Sequence, residues 1–172
     1  MEGDNLNKGN YNVLDGIERD IIINSYYVIS FFNINNTPVT NLKLQKLMYF
    51  MEAIYMSVAD SENLYSEEFY AWEFGPVCKK LYEKYASFES YEIELTDEQK
   101  RLAHDIPNVN YLLVQILYKL FGDWTTYDLV EFTHSVDSPW SKVYDGKNGS
   151  IIVDKNQTKE WFKGKINLSD KE

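Results

Sequence analysis

A chain of 172 residues suits one domain, and its 44% apolar content is enough for a core of its own. A net charge of −10 argues against grip on a nucleic-acid backbone, which needs a positive surface. A single cysteine excludes an internal disulfide, and an aromatic share of 16%, with 14 tyrosines, must go into a core or an interface.

Residues 1–15 are rich in Asn, Gly and Asp, carry no signal-peptide pattern and read as a flexible leader. Ile17 to Phe32 has apolar residues at helical spacing and no Gly or Pro inside, so a helix is expected, with a strand left open by its β-branched content. Its run IIINSYYVISFF falls short of the ~20 apolar residues that cross a bilayer, so a soluble cytoplasmic protein is expected.

Thr40 is placed to cap a helix from Asn41 to about Asp60. There Leu44, Leu47, Met48, Met51, Ile54, Tyr55 and Val58 fall within an arc of about 120° at helical periodicity. Tyr49, Phe50 and Met56 lie outside that arc and are apolar as well, so this helix should be packed on several sides, at the centre of the domain.

NLYSEEFYAWEF predicts a short extended or β element near residues 64–73. Pro76 fits the first position of a helix carrying Val77, Leu81, Tyr82, Tyr85 and Phe88. Short helices follow from Thr96 to about His104 and from Val109 to Phe121. A capping box of Thr125 and Asp128 opens another to about Ser135. Ser138 and Pro139 open one ending near Gly146, and Asp154 opens the last, to Gly164. The fold class expected is mostly α: one compact multi-helix domain over residues 16–172.

Charge is unevenly spread. Glu83 to Glu98 carries six acidic residues against Lys84, whereas Lys142 to Lys165 carries six lysines against three acids. Such a division describes either solvated surface or complementary faces for protein partners.

Catalytic chemistry finds little purchase. Cys78, near a helix start, could be an activated thiolate or a small buried hydrophobe; a nucleophile would need a histidine base, and no cysteine-enzyme signature surrounds it. His104 and His134 lie outside any metal-ligand spacing, and no Gly-rich phosphate loop is present, so neither a metal nor a cofactor is expected. THSVDSPW, Thr133 to Trp140, is either a recognition pocket or a capped helix start with its Trp in the core. Glu67-Glu68, Glu73 and Glu89, Glu92 and Glu94 would do acid–base work only if buried.

Three stretches together resemble the Panacea domain family. TNLKLQKLMYFMEAIYMSV (Thr40–Val58) is similar to its LKLQKLLYFAQ helix, FYAWEFGPVCKKLYEKY (Phe69–Tyr85) to its AW–GPV segment, and LVEFTHSVDSPWSKVYDG (Leu129–Gly146) to its TH–SPW segment. Order and spacing agree, and the resemblance covers roughly Ile21 to Gly164. It implies a bacterial, prophage or phage antitoxin, not an enzyme, that neutralises a cognate toxin protein by direct contact. An adapter presenting a partner to a AAA+ protease is the alternative, and a hydrolase using His134 with an acid or Cys78 a second one. No nucleic acid or membrane partner is expected, and homodimerisation stays open. Many members carry an N-terminal DNA-binding domain, for which there is no room before Ile17. Cys78 does not match a cysteine of the family pattern. The resemblance marks Trp72, Phe74, Gly75, Pro76, His134, Ser138 and Trp140 as partner-binding or motif positions.

Overall fold

The computed structural model describes residues 16–59 and 63–166. The expected leader, residues 1–15, lies outside them. Among the described residues the fold is eight α-helices and one two-stranded antiparallel sheet, in agreement with the mostly α expectation.

Helix α1, Ile21–Ile34, starts four residues later than the periodicity suggests. Asp20 takes the cap instead, its carboxylate accepting from the Ile22 and Ile23 N–H groups at 2.7 and 3.2 Å. Buried amides then tie α1 to α5, Asn108–Phe121: Asn110 Nδ2 donates to Asn24 Oδ1 at 2.7 Å.

Helix α2, Asn41–Ala59, is the centre of the domain. Every residue from Asn41 to Met56 is buried except Leu42, which is half-buried. It packs against α1, α5, α6 (Thr126–Thr133) and α8 (Lys155–Lys165). Phe50 stacks on Phe121 at 4.7 Å and 22°, with Phe132 and Phe162 beside it. Each such fully buried Leu, Met or Phe contributes about 1.5–3 kcal/mol of transfer free energy. Glu52 is buried too. Its Oε2 accepts from the Leu64 and Tyr65 N–H groups at 2.9 and 3.0 Å, and its Oε1 lies 2.9 Å from Lys155 Nζ. Burial raises its carboxyl pKa, with Lys155 opposing.

The segment after α2 contains the β element expected near residues 64–73 but corrects the helix start expected at Pro76. Strands β1, Tyr70–Trp72, and β2, Gly75–Val77, form a hairpin in which Tyr70, Ala71 and Trp72 pair with Val77, Pro76 and Gly75. Pro76 therefore sits mid-strand, not at a helix start. The hairpin tolerates it because of the ladder alternation. Ala71 N–H points away from β2, donating to Ile151 O at 2.8 Å, and the Pro76 carbonyl points away from β1, to Lys46. The missing proline N–H belongs to that outward set, so no rung is lost. The helix α3, Lys79–Lys84, begins after Cys78.

Capping boxes on Thr96 and Thr125 start α4, Asp97–His104, and α6 as expected. Ser138 caps α7, Pro139–Val143, and Asp154 caps α8. Helix α7 ends at Val143, short of Gly146. Among the described residues no helix is long and apolar enough to cross a membrane.

Candidate functional site

The motif stretches meet at one corner. Helix α2 supplies three buried polar side chains to it, all facing the hairpin and the start of α3. Asn41 Nδ2 donates to Tyr82 O at 3.1 Å and its Oδ1 accepts from Gln45 Nε2 at 2.9 Å. Gln45 Oε1 accepts the Cys78 N–H at 3.0 Å, satisfying the backbone of the residue that opens α3. Lys46 Nζ donates to Pro76 O at 2.8 Å. No carboxylate pairs with this lysine among the described residues, and burial pushes its pKa down from 10.5 to about 7.

Gly75 lies against that lysine. Glu73 and Phe74 form the two-residue turn with negative φ, so the left-handed backbone falls on Gly75, at φ +99°. A Cβ there would stand 2.5 Å from Thr133 Oγ1 and 3.0 Å from Lys46 Cε. Glycine is required twice over, by backbone and by space.

The third stretch closes the corner from behind. Ser138 Oγ donates to Thr133 O at 2.7 Å and accepts from Ser141 N–H at 3.0 Å. Trp140 is buried, its Nε1 donating to Trp72 O at 2.7 Å. Its ring lies between two others: His134 stacks on it at 3.9 Å and 8°, and Tyr144 at 4.7 Å and 20°. Burial, then the nearby Lys46, hold the His134 pKa below its usual value, against Glu131 and the Glu73 backbone, so at neutral pH the ring is uncharged. Its Nε2 is buried without a hydrogen-bond partner among the described residues.

Of the motif positions, then, Gly75, Pro76, Ser138 and Trp140 are buried, and Trp72 and His134 half-buried. Phe74, at the tip, is 54% exposed. The tip is held from the other side by Asn148 Oδ1, which accepts the Glu73 N–H at 2.6 Å, and by Gly149 O, which accepts Trp72 Nε1 at 3.0 Å. A cavity of about 500 Å³ beside it is lined by Leu42, Phe74, Tyr127, Val130 and His134, with Glu73 and Glu131.

Cys78 is not placed as a nucleophile would be. It is fully buried, and desolvation raises its pKa, which keeps the thiol protonated. Glu67 is spent on an ion pair with Lys80 at 2.7 Å.

Sequence patterns alone do not single out Asn41, Gln45, Lys46 or Tyr127. For the first three a signal exists: a helix packed on all sides buries its polar side chains too, and each then needs a partner. For Tyr127, 70% exposed in the first turn of α6, there is none, since one tyrosine among 14 looks like any other.

A mostly helical domain in which buried polar groups of α2, together with Ser138 and Trp140, hold one exposed aromatic turn presents a surface. A family model described as antitoxin SocA-like, Panacea domain, matches residues 44–141, more than half of the chain. The chain belongs to this family. Membership supports an antitoxin-type role, with a toxin as the partner in general. No curated protein and no solved structure matches the chain.

Proposed function

We propose that this chain is a non-enzymatic antitoxin, cytoplasmic and phage- or prophage-associated, that neutralises its toxin by direct contact through the hairpin tip. The observation that carries the reading is the division of labour at the corner. Trp72, Gly75, Pro76, His134, Ser138 and Trp140 hold the turn; Phe74, with Tyr127 beside it, is what the turn shows to solvent. Exposed aromatics on a rigid support are the usual anchors of protein interfaces. At the corner Lys46, Ser138 and Trp140 donate to backbone carbonyls and Gln45 accepts a backbone N–H, an arrangement suited to shape and not to bond-making chemistry.

The experiment is co-expression. The neighbouring open reading frame is induced alone and together with this chain, and growth and co-purification are followed. Growth arrest relieved by this chain, with the two proteins eluting as one complex, is the expected result. A neighbour that arrests growth equally with and without this chain would overturn the reading, as would relief without any complex.

A further inference from the structure

The cavity beside the tip does not stand alone. Another, of about 420 Å³, lies on the far side of the hairpin, lined by Trp72, Val77, Tyr82 and Glu89 and sharing Leu42, Glu73 and Phe74 with the first. A third, of about 520 Å³, lies past α6 and shares Tyr127 and Glu131, adding Trp124, Asp128 and Phe132. Consecutive cavities have walls in common, so the three form one strip crossing the tip and the exposed side of α6.

Two properties of the strip choose an occupant. Its raised points are aromatic: Phe74, Tyr82 and Tyr127 are 54%, 43% and 70% exposed. Its charges are of one sign: Glu73, Glu89, Asp128 and Glu131 line it, and among the described residues no lysine or arginine does. Asp128 is engaged by Thr125 in the capping box; the three glutamates remain for a visitor. His134, the remaining titratable side chain in the lining besides the tyrosines, is uncharged at neutral pH. An apolar floor with an all-acidic rim accepts apolar anchors flanked by cations and repels anions.

We propose that the strip receives a Lys/Arg-rich amphipathic segment of the toxin, with its apolar side chains seated around Phe74 and Tyr127 and its cations on Glu73, Glu89 and Glu131. This rests on the antitoxin reading and adds the chemistry of the partner to it.

The test uses the full chain and two synthetic amphipathic helical peptides. Both carry the same Leu/Trp face; one has Arg and Lys on the other face, the second Glu and Asp. The basic peptide is expected to bind and the acidic one not, with affinity falling as salt is raised from about 0.05 to about 0.5 M. Phe74→Ala/Tyr127→Ala should weaken the basic peptide about thirtyfold, the size of a hot-spot truncation. Glu73→Gln/Glu131→Gln should flatten the salt dependence, while Glu94→Gln/Glu98→Gln, the same charge change at exposed positions off the strip, should leave it as in the parent. If the aromatic double variant fails to melt like the parent, the glutamine pair decides the question. Peptides that bind alike or not at all, strip variants that bind like the parent, or an equal effect of the off-strip pair would each overturn the proposal. Toxin rescue is scored in parallel. A parent chain that rescues growth while the peptide arms fail sinks only the basic-segment assignment, and a parent chain that rescues nothing sinks the antitoxin reading itself.

Discussion

At the scale of single residues, Gly75 and Lys46 carry the sharpest expectations. Gly75→Ala adds a Cβ where φ is +99° and where Thr133 Oγ1 stands 2.5 Å away. Thr133 is itself buried and its hydroxyl donates to Val130 O at 2.8 Å, so it does not yield freely. Backbone strain and overpacking together should cost roughly 2–4 kcal/mol, read as a drop in urea midpoint at unchanged slope. Cys78→Ser is the comparison: a thermal midpoint as low as that of Gly75→Ala would show that the glycine has no special role. Lys46 makes a pH prediction. In the folded chain it loses its proton at about 7, in the unfolded chain near 10.5. Between those values the unfolded state holds more protons, so this residue makes stability rise with pH above about 7 and leaves it flat below. The slope is at most about 1.4 kcal/mol per pH unit. Denaturant titrations of the parent and of Lys46→Met at pH 7, 8 and 9 would show it, the variant losing the rise. Parallel curves would mean that Lys46 titrates as an ordinary lysine.

The elements show how much of the molecule can be read from its sequence. Four helices of the second half were legible because each begins with a side chain that caps: Thr96, Thr125, Ser138 and Asp154 all accept a backbone N–H where the pattern puts them, whereas α5, which has no capping side chain, was legible from its apolar run. The central position of α2 was legible from apolar residues on every side. The hairpin was legible only in its first strand, which falls within the β element expected near residues 64–73; the second was not. Pro76 followed by a helical stripe imitates a helix start, and only the pairing with Tyr70–Trp72 and the Lys46 contact to its carbonyl turn it into a strand. The Lys46 contact joins residues 30 apart, which no local pattern carries. Motif matching found the corner, but it could not separate Phe74, which faces out, from Trp140, which faces in. The buried Glu52–Lys155 pair was equally silent, because a glutamate within a helix reads as surface. It ties α2 to α8 and to the segment at Leu64 and Tyr65. Glu52→Leu should cost about 3–5 kcal/mol, since it strands a buried ammonium and two N–H groups. Glu52→Gln/Lys155→Met, which keeps an acceptor and removes the cation, should recover most of it. Equal melting of Glu52→Leu and the parent would show the pair to be dispensable.

At the scale of the whole molecule, charge and shape divide the surface. The acidic strip runs over the hairpin tip and α6, and in the lysine-rich end Lys165 pairs with Asp137 at 2.9 Å and Lys155 turns inward to Glu52. The uneven charge of the sequence therefore does not reduce to two opposed faces, because part of the basic end is spent inside. Across the molecule the tip is assembled from segments far apart in the chain: residues 41–46, 72–77, 133–140 and 148–149 each hold it by a named bond.

That assembly couples recognition to folding. A peptide copying Phe69–Cys78 carries Phe74, Trp72, Gly75 and Pro76 but lacks Gln45, Lys46, Trp140 and Asn148, which fix the turn in the folded chain, so it should compete with the intact domain for the toxin at least about a hundredfold less well, the loss expected when the ordering cost falls on binding. Conversely, a toxin that grips the tip binds only the native chain and raises its thermal midpoint in proportion to the logarithm of toxin concentration. A free chain opens more often than a bound one, so a protease that cuts the opened form would remove unoccupied antitoxin first. Pulse proteolysis with and without saturating toxin measures this directly, and equal cleavage rates in the two samples would show that the tip survives without the fold that holds it.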